Sequence, residues 1–213
     1  SVSKGSYLKG VDQQQKPQSC KATSSEISLE VIYKRESIMK CRAAILRASG
    51  AKAPYVDSQP LTIEEIELDP PGPNEVVVKI VGAGLCHSDL SVINGARPRK
   101  LPIVLGHEGS GEIVELGSAV TDLRVGDHAV FQFSPACGRC RRCLEGRPQN
   151  CLVAVTQGAK GELIGGGSRI RDVDGNILGH HTGISSMAEY AVMDRGSIIV
   201  VDPSLSLADA AVF

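Results

Sequence analysis

The chain has 213 residues, 42% of them hydrophobic and 22% charged, with 23 Lys and Arg against 24 Asp and Glu for a formal net charge of -1. That length can bury a genuine core in one large domain or two small ones, and the near-neutral balance gives no general attraction to nucleic acid or to an anionic membrane surface. No apolar stretch approaches a membrane span, no charged start leads into an apolar run, and the cysteine count is odd, so the chain is expected to be cytoplasmic, with neither nucleic acid nor membrane as partner.

Residues 1–38 are expected to form a poorly ordered N-terminal extension. From Ser1 to Ser25 the composition is rich in Ser, Lys and Gln with no helical or alternating apolar pattern. A tag, linker or upstream translated segment ranks above a regulatory arm, because Met39 looks like a natural start running into a strand. Residues 39–213 then read as one domain built from short strands at 41–46, 61–68, 75–81, 103–116, 128–133 and 187–201. Turn formers such as Asp69-Pro70-Pro71-Gly72-Pro73-Asn74 separate them. The fold class is therefore mainly β with short helices, a barrel or sandwich. Helical patterning is confined to the end, where Ser206 is placed to cap a helix starting at Leu207. That helix would stop at Phe213, short of the about 12–15 residues an isolated helix needs, so the sequence reads as cut in mid-element.

Two groups of metal-binding residue types interrupt this pattern. Cys137, Cys140, Cys143 and Cys151 fall within a lobe at about 134–152, and pairs two residues apart can turn two thiolates toward one point, as a closed tetrahedral zinc site requires. Disulfides, or buried thiols in chance proximity, rank below that reading because nothing marks a secreted domain. Arg139, Arg141, Arg142 and Arg147 interleave the cysteines, so a non-catalytic zinc module binding nucleic acid or protein is the alternative. It ranks lower because no aromatic lies between Cys137 and Cys151 to stack on a base. The second group is Cys86-His87-Ser88-Asp89 after one strand and Gly106-His107-Glu108 after another. One Cys and one His alone are more often a buried thiol and a hydrogen-bonded core histidine.

The run Gly106-His107-Glu108-Gly109-Ser110-Gly111, with Gly117 and Val120, carries every fixed position of Gly-His-Glu-x2-Gly-x5-Gly-x2-Val. With Cys86 upstream and the four-cysteine lobe downstream, the chain resembles the GroES-like catalytic domain of the zinc-dependent medium-chain alcohol dehydrogenase family over roughly residues 39–213. The segment His180-His181-Thr182-Gly183-Ile184-Ser185-Ser186 with Ala188-Glu189-Tyr190 resembles the liver-type branch that includes formaldehyde-adduct dehydrogenases.

The resemblance implies two zinc sites, one structural at Cys137, Cys140, Cys143 and Cys151 and one catalytic at Cys86 and His107 with Glu108 nearby. The family's third catalytic ligand is a cysteine two residues beyond Ala210-Ala211-Val212-Phe213, after the last residue of this sequence. The resemblance further implies oxidation of an alcohol or an S-hydroxymethyl thiol adduct by hydride transfer to NAD, with Ser88 passing the substrate proton. Asp89 would orient His107 while capping a helix, His87 would face the cofactor pyrophosphate, and Phe133 would wall the substrate pocket. Ser91 stands where some relatives continue the relay with histidine, so the onward path would run through water or cofactor hydroxyls. The run Gly165-Gly166-Gly167 has neither the spacing nor the strand-to-helix setting of a dinucleotide fingerprint and reads as a loop. The Rossmann domain is expected to be absent from this chain, the fragment inactive alone, and its parent a homodimer or homotetramer.

Overall fold

A computed structural model describes residues 38–212. The expectation of a poorly ordered stretch from Ser1 and the reading of the chain end at Phe213 lie outside the described residues.

Alternation builds the first layer. Strand β1 (Met39–Leu46) buries Cys41, Ala43 and Ile45 and turns Lys40 and Arg42 outward, because successive strand side chains point to opposite faces. It pairs antiparallel along its whole length with β2 (Leu61–Leu68), from Met39 opposite Leu68 to Leu46 opposite Leu61. Strands β4 (Ile103–Val104), β7 (Ile170–Asp172) and β8 (Ile177–His180) close a barrel in the order β1-β2-β7-β8-β4. Its core packs Ile45, Ile66, Leu68, Ile170 and Leu178 against one another. His180 is fully buried there; burial, with help from the Arg169 charge, pushes its imidazole down to about 3. The ring is therefore neutral, and its Nε2 accepts the backbone N–H of Arg169 at 3.3 Å.

The second sheet has the order β10-β6-β5-β3-β9, built from β3 (Glu75–Gly84), β5 (Glu108–Leu116), β6 (His128–Phe131), β9 (Tyr190–Asp194) and β10 (Ile198–Val200). Val76, Val77 and Val78 are all buried, without alternation. Both faces of β3 are covered there, which is why its sequence is a continuous apolar run.

Two expected strands divide. The run 103–116 breaks into β4 and β5 because Gly106 has φ +90°, and a Cβ there would lie 2.5 Å from Ser186 Oγ and 2.7 Å from the Met187 nitrogen; only glycine permits that turn. The run 187–201 breaks into β9 and β10 at a 3-10 turn, Arg195–Ser197, where the Asp194 carboxylate accepts the Gly196 N–H at 2.8 Å. Four helices lie where no helical pattern is legible: α1 (Tyr55–Ser58), α2 (His87–Ile93), α3 (Arg141–Leu144) and α4 (Leu152–Lys160). The terminal helix α5 (Leu207–Ala210) forms where expected, with Ser206 Oγ accepting the Asp209 N–H at 3.4 Å. The Ser110 hydroxyl of β5 donates to the Leu207 carbonyl, fixing α5 against the second sheet. Residues 165–167 form a turn in the loop before β7.

Candidate metal centres and the cleft beside them

In the lobe, Cys140 caps α3, Cys143 lies on it, and Cys151 caps α4. The four sulfurs lie within 4.8 Å of one another, Cys140 Sγ being 3.5 Å from Cys143 Sγ and 3.9 Å from Cys151 Sγ. A tetrahedron with metal–sulfur bonds of about 2.3 Å has sulfur–sulfur edges of about 3.8 Å, whereas a disulfide requires about 2.05 Å. Backbone N–H groups already point at these sulfurs: Cys140 to Cys137 Sγ at 3.3 Å, Cys137 to Cys151 Sγ at 3.4 Å and Ala154 to Cys151 Sγ at 3.5 Å. The Cys143 N–H pulls the Cys140 thiol down to about 6, while burial and the neighbouring Cys140 push Cys143 up to about 12. Four sulfurs so close do not all ionise unless a cation sits between them, and the donor set fits zinc. The basic face is partly neutralised, since Arg141 and Arg142 share Glu145 at 2.6 and 3.4 Å.

Strand pairing assembles the second centre. Gly84 at the end of β3 stands opposite Glu108 at the start of β5, which sets Cys86 beside His107. Gly84 admits this approach because a Cβ there would lie 2.6 Å from Glu108 Oε2. Ligand atoms of Cys86, His107 and Glu108 come within 4.8 Å of one another. Asp89, wholly buried, binds this corner together. Its Oδ2 accepts the Cys86 N–H at 3.1 Å, and its Oδ1 accepts the Gly106 N–H at 3.0 Å. The same Oδ1 lies 3.5 Å from His107 Nδ1 and 2.8 Å from His181 Nδ1. Asp89 thus accepts from the N-terminus of α2 and faces His107.

Electrostatics follow from that wiring. Burial opposes ionisation of Asp89, but His107, His181 and the Gly106 N–H together hold its carboxyl well below the usual range. Asp89 in turn raises His107 above its ordinary value against the effect of burial. The Ser88 hydroxyl, then its N–H, hold the Cys86 thiol below its ordinary value, against a smaller opposing effect of burial. Ser88 Oγ lies 3.2 Å from His107 Nε2, so Nε2 and Cys86 Sγ share the open side while Nδ1 faces the carboxylate. An imidazole tied through one nitrogen offers the other to a metal, and these residues fit one.

Phe133 stands edge-on to His107, ring centroids 5.9 Å apart, at the start of a cleft of about 290 Å³ that also takes in Thr182 and Ala154. His87 is exposed at the start of α2, its Nδ1 3.4 Å from Ser91 Oγ. A larger apolar hollow of about 710 Å³ lies between α1 and α2, bounded by Tyr55, Leu61, Leu85 and Cys86. His181 is the site residue that sequence reasoning missed as a participant. It is buried, its ring packs at 5.1 Å and 86° against His107, and with Asp89 the two histidines form a third close cluster. Its place beside His180 is visible in the sequence, but its contact with Asp89 exists only once β8 closes the barrel.

Residues 72–203 match the family described as Alcohol dehydrogenase GroES-like domain. A Mycobacterium tuberculosis protein with the provisional name alcohol dehydrogenase D is 41% identical over 172 residues, covering 81% of this chain and 44% of that protein. An S-(hydroxymethyl)glutathione dehydrogenase of Synechocystis is 40% identical over 167 residues, covering 78% and 42%. Among solved structures, an alcohol dehydrogenase zinc-binding domain protein from Burkholderia ambifaria superposes with a TM-score of 0.72 at 35% identity, covering 80% of this chain and 44% of that one. The chain thus spans less than half the length of the curated relatives it matches.

Proposed function

The chain belongs to the alcohol dehydrogenase GroES-like domain family, and from that premise we propose that it is the catalytic-domain portion of a zinc-dependent dehydrogenase that oxidises an alcohol, or an S-hydroxymethyl thiol adduct, by hydride transfer to NAD. The observation that carries the reading is the corner where β3 and β5 pair, with Cys86 beside His107 and Asp89 behind the imidazole. In this reading Cys86 and His107, with Glu108 in reach, hold a catalytic zinc, and the four lobe cysteines hold a structural one. Zinc bound at that corner supplies Lewis acidity that makes an alcohol proton easier to lose.

The remaining steps belong to this chain's own side chains. Phe133 packs the substrate against the metal-binding corner. Ser88, 3.2 Å from His107 Nε2, would take the hydroxyl proton toward water, and a bound nicotinamide would supply the acceptor for the carbinol hydride. Asp89 keeps His107 in one tautomer and orientation, so Nε2 stays aimed at the metal. His87 reaches the cofactor pyrophosphate, with a charge that depends on pH as arginine's would not. The parent protein is proposed to be a cytoplasmic homodimer or homotetramer; among the described residues no helix is long and apolar enough to cross a membrane.

Cobalt titration tests this reading. The first equivalent is expected to develop strong thiolate bands from the lobe. A second, weaker equivalent gives d–d bands that shift on adding benzyl alcohol, and C86S removes that second set while leaving the first. Bands of the second equivalent that survive C86S, or that ignore the alcohol, would count against the assignment.

A further inference from the structure

The cleft that starts at Phe133 carries two guanidinium groups with no counter-ion. Arg97 and Arg99 sit on the loop between α2 and β4, and both line this cleft with Phe133 and Thr182. No carboxylate lines it, and among the described residues neither arginine has an Asp or Glu oxygen within 4.0 Å. Arg99 Nη1 reaches the Pro98 carbonyl at 3.3 Å, but its Nε is buried without a hydrogen-bond partner. Thr182 Oγ1, on the same cleft, is buried and unpartnered as well. Buried donors left unpaired are costly and are normally satisfied. Here two unsatisfied buried groups, with the exposed Arg97 beside them, line one hollow whose Phe133 also stands edge-on to His107. Burial, and then the neighbouring Arg97 charge, hold Arg99 below its ordinary value, the imbalance that an anion between them would relieve. Among the described residues Arg42, Arg47, Arg169, Arg171 and Arg195 each face a carboxylate, whereas Arg124, Arg139 and Arg147, like Arg97 and Arg99, do not; what sets Arg99 apart is that its Nε is also buried without a partner.

We propose that Arg97 and Arg99, with Thr182, form a carboxylate subsite in the cleft beside Phe133, so that the alcohol this site takes carries an anionic group. The inference rests on the dehydrogenase reading and specifies its substrate class. Two guanidinium forks can grip a carboxylate with charge-assisted hydrogen bonds. Phe133 lines the cleft with the two arginines and also stands edge-on to His107, so a substrate with a flat apolar middle, a hydroxymethyl group at one end and a carboxylate at the other matches the chemistry of the walls. The volume, about 290 Å³, is at the small end for ligand pockets and suits a single substituted ring.

The test uses the full 213-residue chain, loaded with cobalt, and two probes, 4-(hydroxymethyl)benzoate and benzyl alcohol. Nitrogen–proton spectra of the arginine Nε groups should show the Arg99 signal moving with the carboxylate probe and standing still with benzyl alcohol. The carboxylate probe should bind at least about ten-fold more tightly, and R97A or R99A should each cost about ten-fold toward it while leaving benzyl alcohol unchanged. R99K should recover part of the loss, since it keeps the charge but not the fork. Retention of the lobe's cobalt–thiolate bands certifies that each variant is folded. Equal affinity for the two probes, or full affinity in R97A and R99A, overturns the subsite. If benzyl alcohol still shifts the cobalt bands in that case, the dehydrogenase reading stands without it; if neither probe shifts them, both readings fall.

Discussion

Changing Cys151 to Ser is expected to cost the lobe its metal and its fold together. Cys151 is 1% exposed and caps α4, and its sulfur accepts two backbone N–H groups, from Cys137 and Ala154. No residue of α4 is buried, and Leu152 and Val155 are 50% and 66% exposed. A nine-residue helix without a buried face cannot stand on its own, since isolated helices below about 12–15 residues are marginal. What holds it is the sulfur cluster, and structural zinc contributes apparent free energies of about 10–16 kcal/mol in zinc-finger peptides. The dialysed variant should retain almost no zinc by mass spectrometry, and limited proteolysis should cut within residues 134–160 while the barrel stays protected. A variant that keeps its zinc and its protection would show that the lobe is held some other way.

The second large effect is at Asp89. Replacing it with Ala removes the buried partner of His107 and His181 and the acceptor for the N–H groups of Cys86 and Gly106. Breaking a buried pair from one side costs about 3–5 kcal/mol, a shift easily read by urea unfolding. D89N, which keeps the shape, isolates the charge. The Asp89 carboxyl titrates below its ordinary range in the folded chain. The stability that its charge contributes is therefore present in full above the unfolded value of about 3.9 and is lost as pH falls through the lower folded value. In chelating buffer, so that metal release adds nothing to the difference, the gap between wild type and D89N should widen as pH falls from 7 through the ordinary histidine range, because Asp89 raises His107 only in wild type, and narrow again below about pH 4 as Asp89 itself takes a proton. A gap that is already closing between about pH 7 and about pH 5 would mean that the Asp89 charge does not stabilise the folded protein.

The sequence shows most where one physical cause dominates. Strand β1 is read nearly to the residue because its alternation reports one buried and one wet face, and β2 is read to the residue at 61–68 as an apolar-bounded run even though Ile63 turns outward. The short strands β7 and β8 are not legible, since three and four residues are too few to show a period. Helix α2 is missed for a related reason: its seven residues bury Asp89, Val92 and Ile93, and a buried aspartate breaks any apolar stripe. Helix α4 has no apolar face to read because the cysteine cluster, not core packing, anchors it. The division of 103–116 depends on Gly106, whose positive φ is imposed by Ser186 and Met187 far along the chain.

The candidate site follows the same rule. The four lobe cysteines are local, so spacing alone suggests their convergence, and Cys86 and His107 are within reach of a motif. Contacts that need the closed fold stay hidden. His181 meets Asp89 across the barrel rim, and Arg97 and Arg99 acquire meaning only when the cleft beside Phe133 leaves them without partners.

X-ray absorption at the zinc edge, recorded on the dialysed 213-residue chain, tests the central claim most directly. The account predicts about one tightly held zinc per chain with four sulfur neighbours near 2.3 Å. A first shell containing nitrogen or oxygen, or a sulfur count below four, would contradict the tetrathiolate centre and with it the zinc-dehydrogenase reading built upon it.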